Sequence, residues 1–244
     1  MARVDDLLDA ALRGLPPKPA EDAPQAEKKR YSELMSNAIA QAFAQELRER
    51  GLTGTLPAEP GLVGTTGAER RISGGIGAKK VDVSWATEDS GLVLGLSIKT
   101  INWKDGKTGN YQKNLVNRRG DLLIEATTLH RRFPYAVLVG FLFLDEGAAH
   151  DGTERRKSTF ENAHPRLRLF TGRREPEGRD EQYEKLLLCL VSATPFASNV
   201  RVYEVGDPNT RLSLEAVFDE IIEIVAERNF DFYETKDGNL IRTT

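Results

Sequence analysis

Apolar residues recur every three or four positions in four segments of the chain, which is the spacing of an amphipathic α-helix. The predicted helices cover residues 3–13, 31–51, 110–133 and 213–229. Ser32 and Ser213 stand where N-caps are expected, and Gly51 stands where the second helix would stop. The pattern therefore predicts one short helix at the start of the chain and three long helices after it.

Other segments have the length and composition of β-strands, with Val, Ile, Leu and aromatic residues between turn-forming clusters. The predicted strands cover residues 79–85, 91–101, 135–145, 184–193 and 199–205. The turn sequence TEDSG joins the first two strands as a hairpin, and the third is apolar throughout, as in a strand covered on both faces. Strands mixed with long helices in this order predict an α/β fold with a central mixed β-sheet flanked by helices.

A segment rich in proline, alanine and charge, LPPKPAEDAPQAEKKR, follows the first predicted helix and indicates a linker. We therefore expect residues 1–30 to form a short N-terminal helix and linker, and residues 31–244 to form one domain. Residues 51–78 are rich in glycine and predict a loop with one short strand at most. A polar, arginine-rich loop is expected between the third and fourth strands.

Composition narrows the class of protein. Hydrophobic residues make up 39% of the chain and charged residues 29%, as in soluble globular proteins. No apolar run approaches the roughly 20 residues that cross a bilayer, and the first ten residues carry acids where a secretory signal carries bases. The sequence therefore predicts a cytoplasmic protein with no membrane partner.

Charge is unevenly distributed, although the net charge is only −3. Residues 1–69 hold 8 Lys/Arg and 11 Asp/Glu, residues 70–174 hold 19 and 11, and residues 175–244 hold 7 and 15. A basic central segment inside an acidic chain is suited to binding phosphate groups, although solvated surface charge produces the same count.

Two charged residues interrupt the apolar pattern of the predicted hairpin: Asp82 in KKVDVSW and Lys99 in GLSIKTI. If the strands pair through the TEDSG turn, these two side chains lie close to opposite one another. A cross-strand salt bridge on a solvated face is the plain interpretation, and a paired acid and lysine at one end of a sheet is the functional one.

The order helix, hairpin, helix, strand, with Val81-Asp82-Val83 and Ser97-Ile98-Lys99 on the hairpin, resembles the PD-(D/E)XK nuclease superfamily over residues 31–145. The resemblance implies a restriction-endonuclease-like fold and a Mg²⁺-dependent DNA endonuclease that hydrolyses phosphodiester bonds. The pathway that it suggests is restriction or anti-phage defence. Asp82 would bind the metal, and Lys99 would orient the attacking water.

Ser97 departs from the superfamily pattern, because a hydroxyl replaces the second acid that helps to hold a hard divalent cation. Some restriction enzymes that cut CCGG-type sites resemble this arrangement, with Ser-X-Lys on the strand and the acid on the next helix after an arginine. Glu125 and Asp121 are the candidates here, with Glu125 preferred because it lies nearer the predicted buried face. Salt bridging along an exposed helix would explain the same residues.

Glu33 is a third candidate acid, because superfamily members often place an acid from the first long helix against the metal. A glutamate in the first turn of any helix is also favourable without catalysis, since it meets the positive end of the helix dipole. The expected catalytic set is Asp82, Lys99, Glu125, Glu33 and Asp121, with Asp82, Glu125 and Glu33 as metal ligands.

DNA is the expected partner, and the basic residues expected to meet its backbone are Lys79, Lys80, Arg118 and Arg119. The acidic C-terminal block, with its amphipathic helix, could dock a second copy of the chain or a partner protein of a defence system. The missing acid at Ser97 also supports an alternative, in which the chain is a catalytically silent DNA-binding or partner-binding subunit that keeps the nuclease fold.

Overall fold

A six-stranded mixed β-sheet forms the centre of the computed structural model, which describes residues 2–59, 70–194 and 196–243. The strands are β1 (Arg70–Ser73), β2 (Ala78–Val81), β3 (Val83–Thr87), β4 (Gly91–Ile101), β5 (Val137–Asp145), β6 (Lys185–Ala193), β7 (Ser198–Glu204), β8 (Arg211–Leu212), β9 (Tyr233–Lys236) and β10 (Asn239–Arg242). The helices are α1 (Arg3–Arg13), α2 (Gln25–Glu49), α3 (Gln112–His130), α4 (Thr159–Leu167) and α5 (Leu214–Arg228), with short 3₁₀ turns at Glu146–Ala149 and Arg168–Phe170.

The sheet has the strand order β3-β4-β5-β6-β7-β8. β4, β5 and β6 are parallel, and the remaining neighbours are antiparallel. Strands β1 and β2 form a separate two-stranded ribbon, and β9 and β10 form another. The predicted α/β fold with a central mixed sheet and flanking helices is therefore confirmed.

Helices cover both faces of the sheet because its central strands are apolar on both sides. Phe141 and Phe143 of β5 pack against the side of the sheet that carries α1, α2 and α5. Leu142 and Leu144, which alternate with them, pack toward α3 and α4. In the described residues, no helix is long and apolar enough to cross a membrane.

Helix α2 begins at Gln25, earlier than the predicted start at residue 31. The predicted linker is therefore wrong for its last six residues, and Ser32 lies inside the helix instead of capping it. The reason is local: Pro24 occupies the N-cap position, and the Gln, Ala, Glu and Lys residues after it are good helix formers. Ser213 does cap α5, by accepting a hydrogen bond from the backbone N–H of Ala216.

The arginine-rich segment after β5 is not all loop, because it contains α4. The Ser158 side chain accepts a hydrogen bond from the backbone N–H of Glu161, and the Glu161 carboxylate accepts one from the N–H of Ser158. This reciprocal capping box is visible in the sequence as Ser-Thr-Phe-Glu. The high charge of the segment around α4 favours a loop, and for that reason no helix was predicted there. The β9–β10 ribbon at the end of the chain was also not predicted.

A buried ion-pair network ties the end of α2 to α5 and to the β9–β10 ribbon. Arg50, 2% exposed, pairs with Glu46 at 2.5 Å and with Asp219 at 2.5 Å, and it donates to the carbonyl of Gly238 at 2.9 Å. Glu46 is fully buried and also pairs with Arg3 of α1. The network joins the end of α2 to α1, to α5 and to the β9–β10 ribbon. Helix α2 forms one wall of the cleft described below.

Replacing Arg50 by alanine is expected to lower the free energy of unfolding by about 3 kcal/mol, because Glu46 would stay buried with only the half-exposed Arg3 as partner. Urea denaturation followed by circular dichroism measures the loss. Arg13→Ala is the control, since Arg13 forms an exposed pair with Asp9 and should change stability by less than about 0.5 kcal/mol. Equal losses in the two variants would contradict the structural role given to Arg50.

Candidate active site

Asp82 lies at a bend between β2 and β3, where the predicted single strand is interrupted. Its neighbours Val81 and Val83 are buried, so the backbone is anchored on both sides of the bend. The Asp82 Oδ2 atom accepts a hydrogen bond from the backbone N–H of Ile98 at 2.6 Å. The carboxylate is therefore held against β4 by a backbone donor, whose position is set by the sheet.

Lys99 projects from β4 between two carboxylates. Its Nζ atom lies 3.3 Å from Asp82 Oδ2 and 3.0 Å from Glu125 Oε2. The register pairs Val83 with Leu96, so Asp82 lies closer to the level of Ser97 than to that of Lys99, and the long lysine side chain closes the difference. The expected proximity of Asp82 and Lys99 is present, and Glu125 joins them.

Burial lowers the pKa of Lys99, but the charges of Glu125 and Asp82 outweigh it and raise the pKa above that of an ordinary lysine. Burial raises the pKa of Glu125; the charge of Lys99 opposes this rise, and the charge of Asp82 adds to it. The ammonium group is therefore what allows two carboxylates to approach each other in a site where each side chain is at most 16% exposed.

Glu125 reaches this position because α3 packs its apolar face on the sheet. Leu122, Ala126 and Leu129 on that face are at most 1% exposed. Glu125 lies on the same buried side, with 7% of its side chain exposed. The helix thus places an acid in the core beside β4. The sequence predicted that Glu125 lies near the buried face of this helix, and the structure has it there.

A serine and a tyrosine lie behind the three charged residues. Ser97 is 2% exposed, and its hydroxyl has no hydrogen-bond partner among the described residues. It lies near Glu125 and Tyr183, where it opposes part of the rise in their pKa values that burial causes. The Tyr183 hydroxyl donates to the carbonyl of Leu122 at 3.1 Å. Burial and the nearby charge of Glu125 raise the pKa of Tyr183, so the phenol stays neutral. Sequence reasoning missed Tyr183, because it lies in a polar loop segment with no motif around it.

An open cleft of about 760 Å³ leads to Asp82 and Lys99. The first half of α2, the end of β4 and the start of α3 form its walls. Its lining holds six Lys/Arg and three Asp/Glu residues: Lys28, Lys29, Lys99, Lys104, Lys113, Arg118, Glu33, Asp82 and Asp105. The excess of positive charge, together with asparagine and serine donors, suits a polyanion such as a phosphodiester backbone.

The two other candidate acids, Glu33 and Asp121, do not belong to the buried group formed by Asp82, Lys99 and Glu125. Glu33 lines the cleft, but its side chain is 62% exposed and pairs with Lys29 at 3.8 Å. Asp121 is 52% exposed and pairs with Arg118 at 3.1 Å on the surface of α3. The plain interpretation, salt bridging along an exposed helix, therefore describes Asp121, while Glu125 belongs to the buried cluster.

The four basic residues predicted to meet DNA are also separated. Arg118 lines the cleft, and Arg119 is exposed beside it on α3. Lys79 and Lys80 lie on β2, which ends at Val81, the residue before Asp82, and neither of them lines the cleft.

The oxygen donors of the cluster fit a partly solvated divalent cation. Among the described residues, no three His, Cys, Asp or Glu side chains form a group that could hold a metal ion. Asp82 and Glu125 nevertheless both lie within 3.3 Å of the same ammonium nitrogen, and the unpartnered Ser97 hydroxyl is close to Glu125. Mg²⁺ commonly takes one or two carboxylates and completes its shell with waters and substrate phosphates. Such a shell fits these residues better than an all-protein cage does.

Comparisons of the chain with protein families, with curated proteins and with solved structures found no match. The functional assignment therefore depends on the geometry of the cluster and the cleft.

Lys99→Met is expected to destabilise the protein by about 3 kcal/mol near pH 8 in the absence of divalent cations, because it leaves two carboxylates facing each other without a cation. The loss should be smaller near pH 5. Glu125, whose folded-state pKa is raised by burial, loses its Lys99 partner in the variant, so its pKa rises further and protonation relieves the repulsion in acid.

Urea denaturation of both proteins at the two pH values measures the difference. The double variant Lys99→Met/Glu125→Gln is the control, and its stability relative to the natural protein should depend less on pH. A loss from Lys99→Met that is equal or larger near pH 5 would contradict the assigned coupling between these residues.

Proposed function

We propose that the chain is a Mg²⁺-dependent DNA endonuclease of the restriction-endonuclease type, and that it hydrolyses phosphodiester bonds in restriction or anti-phage defence. The observation that carries the proposal is the position of Lys99 between Asp82 and Glu125, with Lys99 and Asp82 lining a cleft that holds an excess of basic residues. The order of elements from α2 to β5 supports the same reading, since it follows the superfamily layout that the sequence resembles.

Glu125 supplies, in this proposal, the carboxylate that Ser97 lacks. Asp82 and Glu125 would hold the metal. Glu33, the further ligand that the sequence predicted, lines the cleft but forms no three-acid group with them among the described residues. A Mg²⁺ ion there would lower the pKa of a bound water and offset the charge that develops on the scissile phosphate. Asp121, which is exposed and pairs with Arg118 on the surface of α3, is not needed in this arrangement.

Lys99 acts as a cation rather than as a base. Burial lowers the pKa of Lys99, but in the metal-free cluster the charges of Glu125 and Asp82 raise it, so the ammonium is protonated at neutral pH and donates hydrogen bonds. The ammonium would orient the attacking water and contact a non-bridging oxygen of the scissile phosphate. Ile98 is buried on the face of the sheet that carries α1, α2 and α5. Its packing there holds the β4 backbone in the position from which Lys99 reaches the cleft.

The basic cleft residues position the DNA backbone. Lys104, Lys113 and Arg118 lie on the wall formed by the end of β4 and the start of α3, and Lys28 and Lys29 lie on the α2 wall. Contacts of this kind fix the register of the nucleic acid without reading its sequence. Cutting both strands of a duplex would require a second active site, so we propose that two copies of the chain, or one copy and a partner protein, act together.

A catalytically silent DNA-binding subunit is the second candidate. The observation that favours it is that no group of three metal-binding side chains is present in the described part of the chain. The two candidates differ in one result: a silent subunit binds DNA through the cleft and leaves it intact at every divalent metal concentration.

The nuclease assay separates them. Plasmid and linear DNA are incubated with the protein and Mg²⁺, and we expect cutting that EDTA abolishes. Asp82→Ala, Lys99→Ala and Glu125→Gln should each lower the cutting rate by about 10²-fold or more, since each removes a charge from the reacting site.

Asp121→Asn is the matched control on the same helix, and it should cut at a rate close to that of the natural protein. Glu33→Gln should fall between the two groups. Equal activity in Glu125→Gln and Asp121→Asn would remove Glu125 from the active site, and cutting unaffected by Asp82→Ala would refute the whole assignment.

A further inference from the structure

Tyr183 lies behind the charged cluster, and its hydroxyl contacts the helix that carries Glu125. The residue precedes β6 by two positions and is 1% exposed. Its hydroxyl donates to the carbonyl of Leu122 on α3 at 3.1 Å. A buried phenol needs a hydrogen-bond partner, and here that partner belongs to the helical turn from which Glu125 projects.

Two small residues on neighbouring strands leave room for this contact. The register pairs Ser97 of β4 with Gly140 of β5, and paired positions of a sheet share a face. That face packs on α3, because Leu138 and Leu142, two positions on either side of Gly140, belong to the core on the α3 side. A Cβ atom on Gly140 would lie 3.6 Å from Tyr183 Cδ1. The tyrosine ring therefore packs over the glycine.

The backbone of Tyr183 is anchored by segments other than α3. Its N–H donates to the carbonyl of Phe170 at 2.9 Å, and its carbonyl accepts from the N–H of Arg173 at 3.1 Å. The carboxylate of the next residue, Glu184, accepts a hydrogen bond from the backbone N–H of Leu138 on β5 at 2.6 Å. The position of the Tyr183 hydroxyl is therefore set by the sheet and by the segment before β6, and α3 is held against it.

The hydrogen bond from Tyr183 acts on the turn that sets the position of Glu125. In an α-helix, the carbonyl of Leu122 accepts from the N–H of Ala126, the residue after Glu125. Tyr183 adds a second donor to the same carbonyl. A small rotation of this turn would move the Glu125 Oε2 atom away from Lys99 Nζ, which lies 3.0 Å from it.

The phenol of Tyr183 is suited to act as a permanent donor. Burial, and next the charge of Glu125, raise the pKa of Tyr183, so the hydroxyl keeps its hydrogen at neutral pH. The buried Ser97 hydroxyl lies near both Tyr183 and Glu125. Phenylalanine in place of Tyr183 would keep the ring and lose only the donor, and the Leu122 carbonyl would keep its partner inside the helix.

We propose that Tyr183 is a positioning residue for the reaction: its hydroxyl holds the turn of residues 122–126, so that the Glu125 carboxylate meets Asp82 at one divalent cation. The inference rests on the proposed function for the metal ion, and it adds how the acid on the helix is placed. Groups that orient the ligands of a metal contribute to its affinity, and their loss weakens metal binding or activity by about 10- to 100-fold.

The test measures metal binding without DNA and cutting with DNA in the same variants. Tyr183→Phe is compared with Tyr203→Phe, which removes a hydroxyl from a buried tyrosine of β7 that packs on Phe160 of α4. Tyr183→Phe is also combined with Glu125→Gln. Binding of Mn²⁺ is followed by electron paramagnetic resonance, and plasmid cutting in Mg²⁺ gives kcat and KM. Thermal melting checks that each variant is folded.

Tyr183→Phe should weaken Mn²⁺ binding by about tenfold and lower kcat by about tenfold, because the Glu125 carboxylate is no longer held in place. The KM for DNA should change by less than about twofold, since the basic residues of the cleft are untouched. In the Glu125→Gln background, where Asp82 still binds Mn²⁺ weakly, Tyr183→Phe should change the Mn²⁺ affinity by less than about twofold. Tyr203→Phe should match the natural protein in every measurement.

Unchanged Mn²⁺ affinity in Tyr183→Phe would overturn the inference. An equal loss of affinity with and without Glu125 would also overturn it, because the hydroxyl would then act on the fold as a whole and not on that acid. If the natural protein binds Mn²⁺ through Glu125 but cuts no DNA, the Mn²⁺ measurements still decide the inference, and only the proposed nuclease activity fails. If Tyr183→Phe binds Mn²⁺ and cuts DNA as the natural protein does, the nuclease stands and the inference fails.

Discussion

The ammonium group of Lys99 is the constraint on which the candidate site depends. Asp82 lies at a bend next to β4, and Glu125 lies on α3. The two acids therefore come from segments that are distant in sequence and meet only in the folded chain. Two carboxylates with little exposure repel one another, and the charge of Asp82 adds to the rise that burial causes in the pKa of Glu125. Lys99 contacts both, at 3.3 and 3.0 Å, and thereby joins the hairpin, the central sheet and the helix at one point.

The surrounding fold serves to hold that point at the end of an open cleft. The buried Arg50 network joins the end of α2 to α5, and the apolar face of α3 fixes the opposite wall. Positive charge is concentrated where the two walls meet β4, although the chain as a whole carries a net charge of −3. Salt screens the interaction between charges that lie far apart. The charge close to the cleft therefore indicates the expected partner better than the net charge of the chain does.

Much of this could be predicted from the sequence, because its signals are local. The periodicity of α3 and the apolar run of β5 located both elements to within about three residues, and the polar interruptions at Asp82 and Lys99 located two members of the cluster. The pattern favoured Glu125 over Asp121, four residues away on the same helix, because Glu125 lies nearer the predicted buried face. Packing against the sheet separates them, since it buries the first and exposes the second. Tyr183 and the Arg50 network left no signal, because each depends on contacts between segments distant in sequence.

In the proposed nuclease, Asp82 and Glu125 share one divalent cation, and Lys99 no longer neutralises both acids once that ion is bound. Crystals of the protein soaked with Mn²⁺, which gives anomalous scattering and substitutes for Mg²⁺ at oxygen sites, locate this ion. We expect an anomalous peak in contact with carboxylate oxygens of both residues, and we expect that peak to be lost in crystals of Glu125→Gln. A peak bound elsewhere, or a cluster in which Lys99 still bridges the two acids at saturating Mn²⁺, would contradict this proposal.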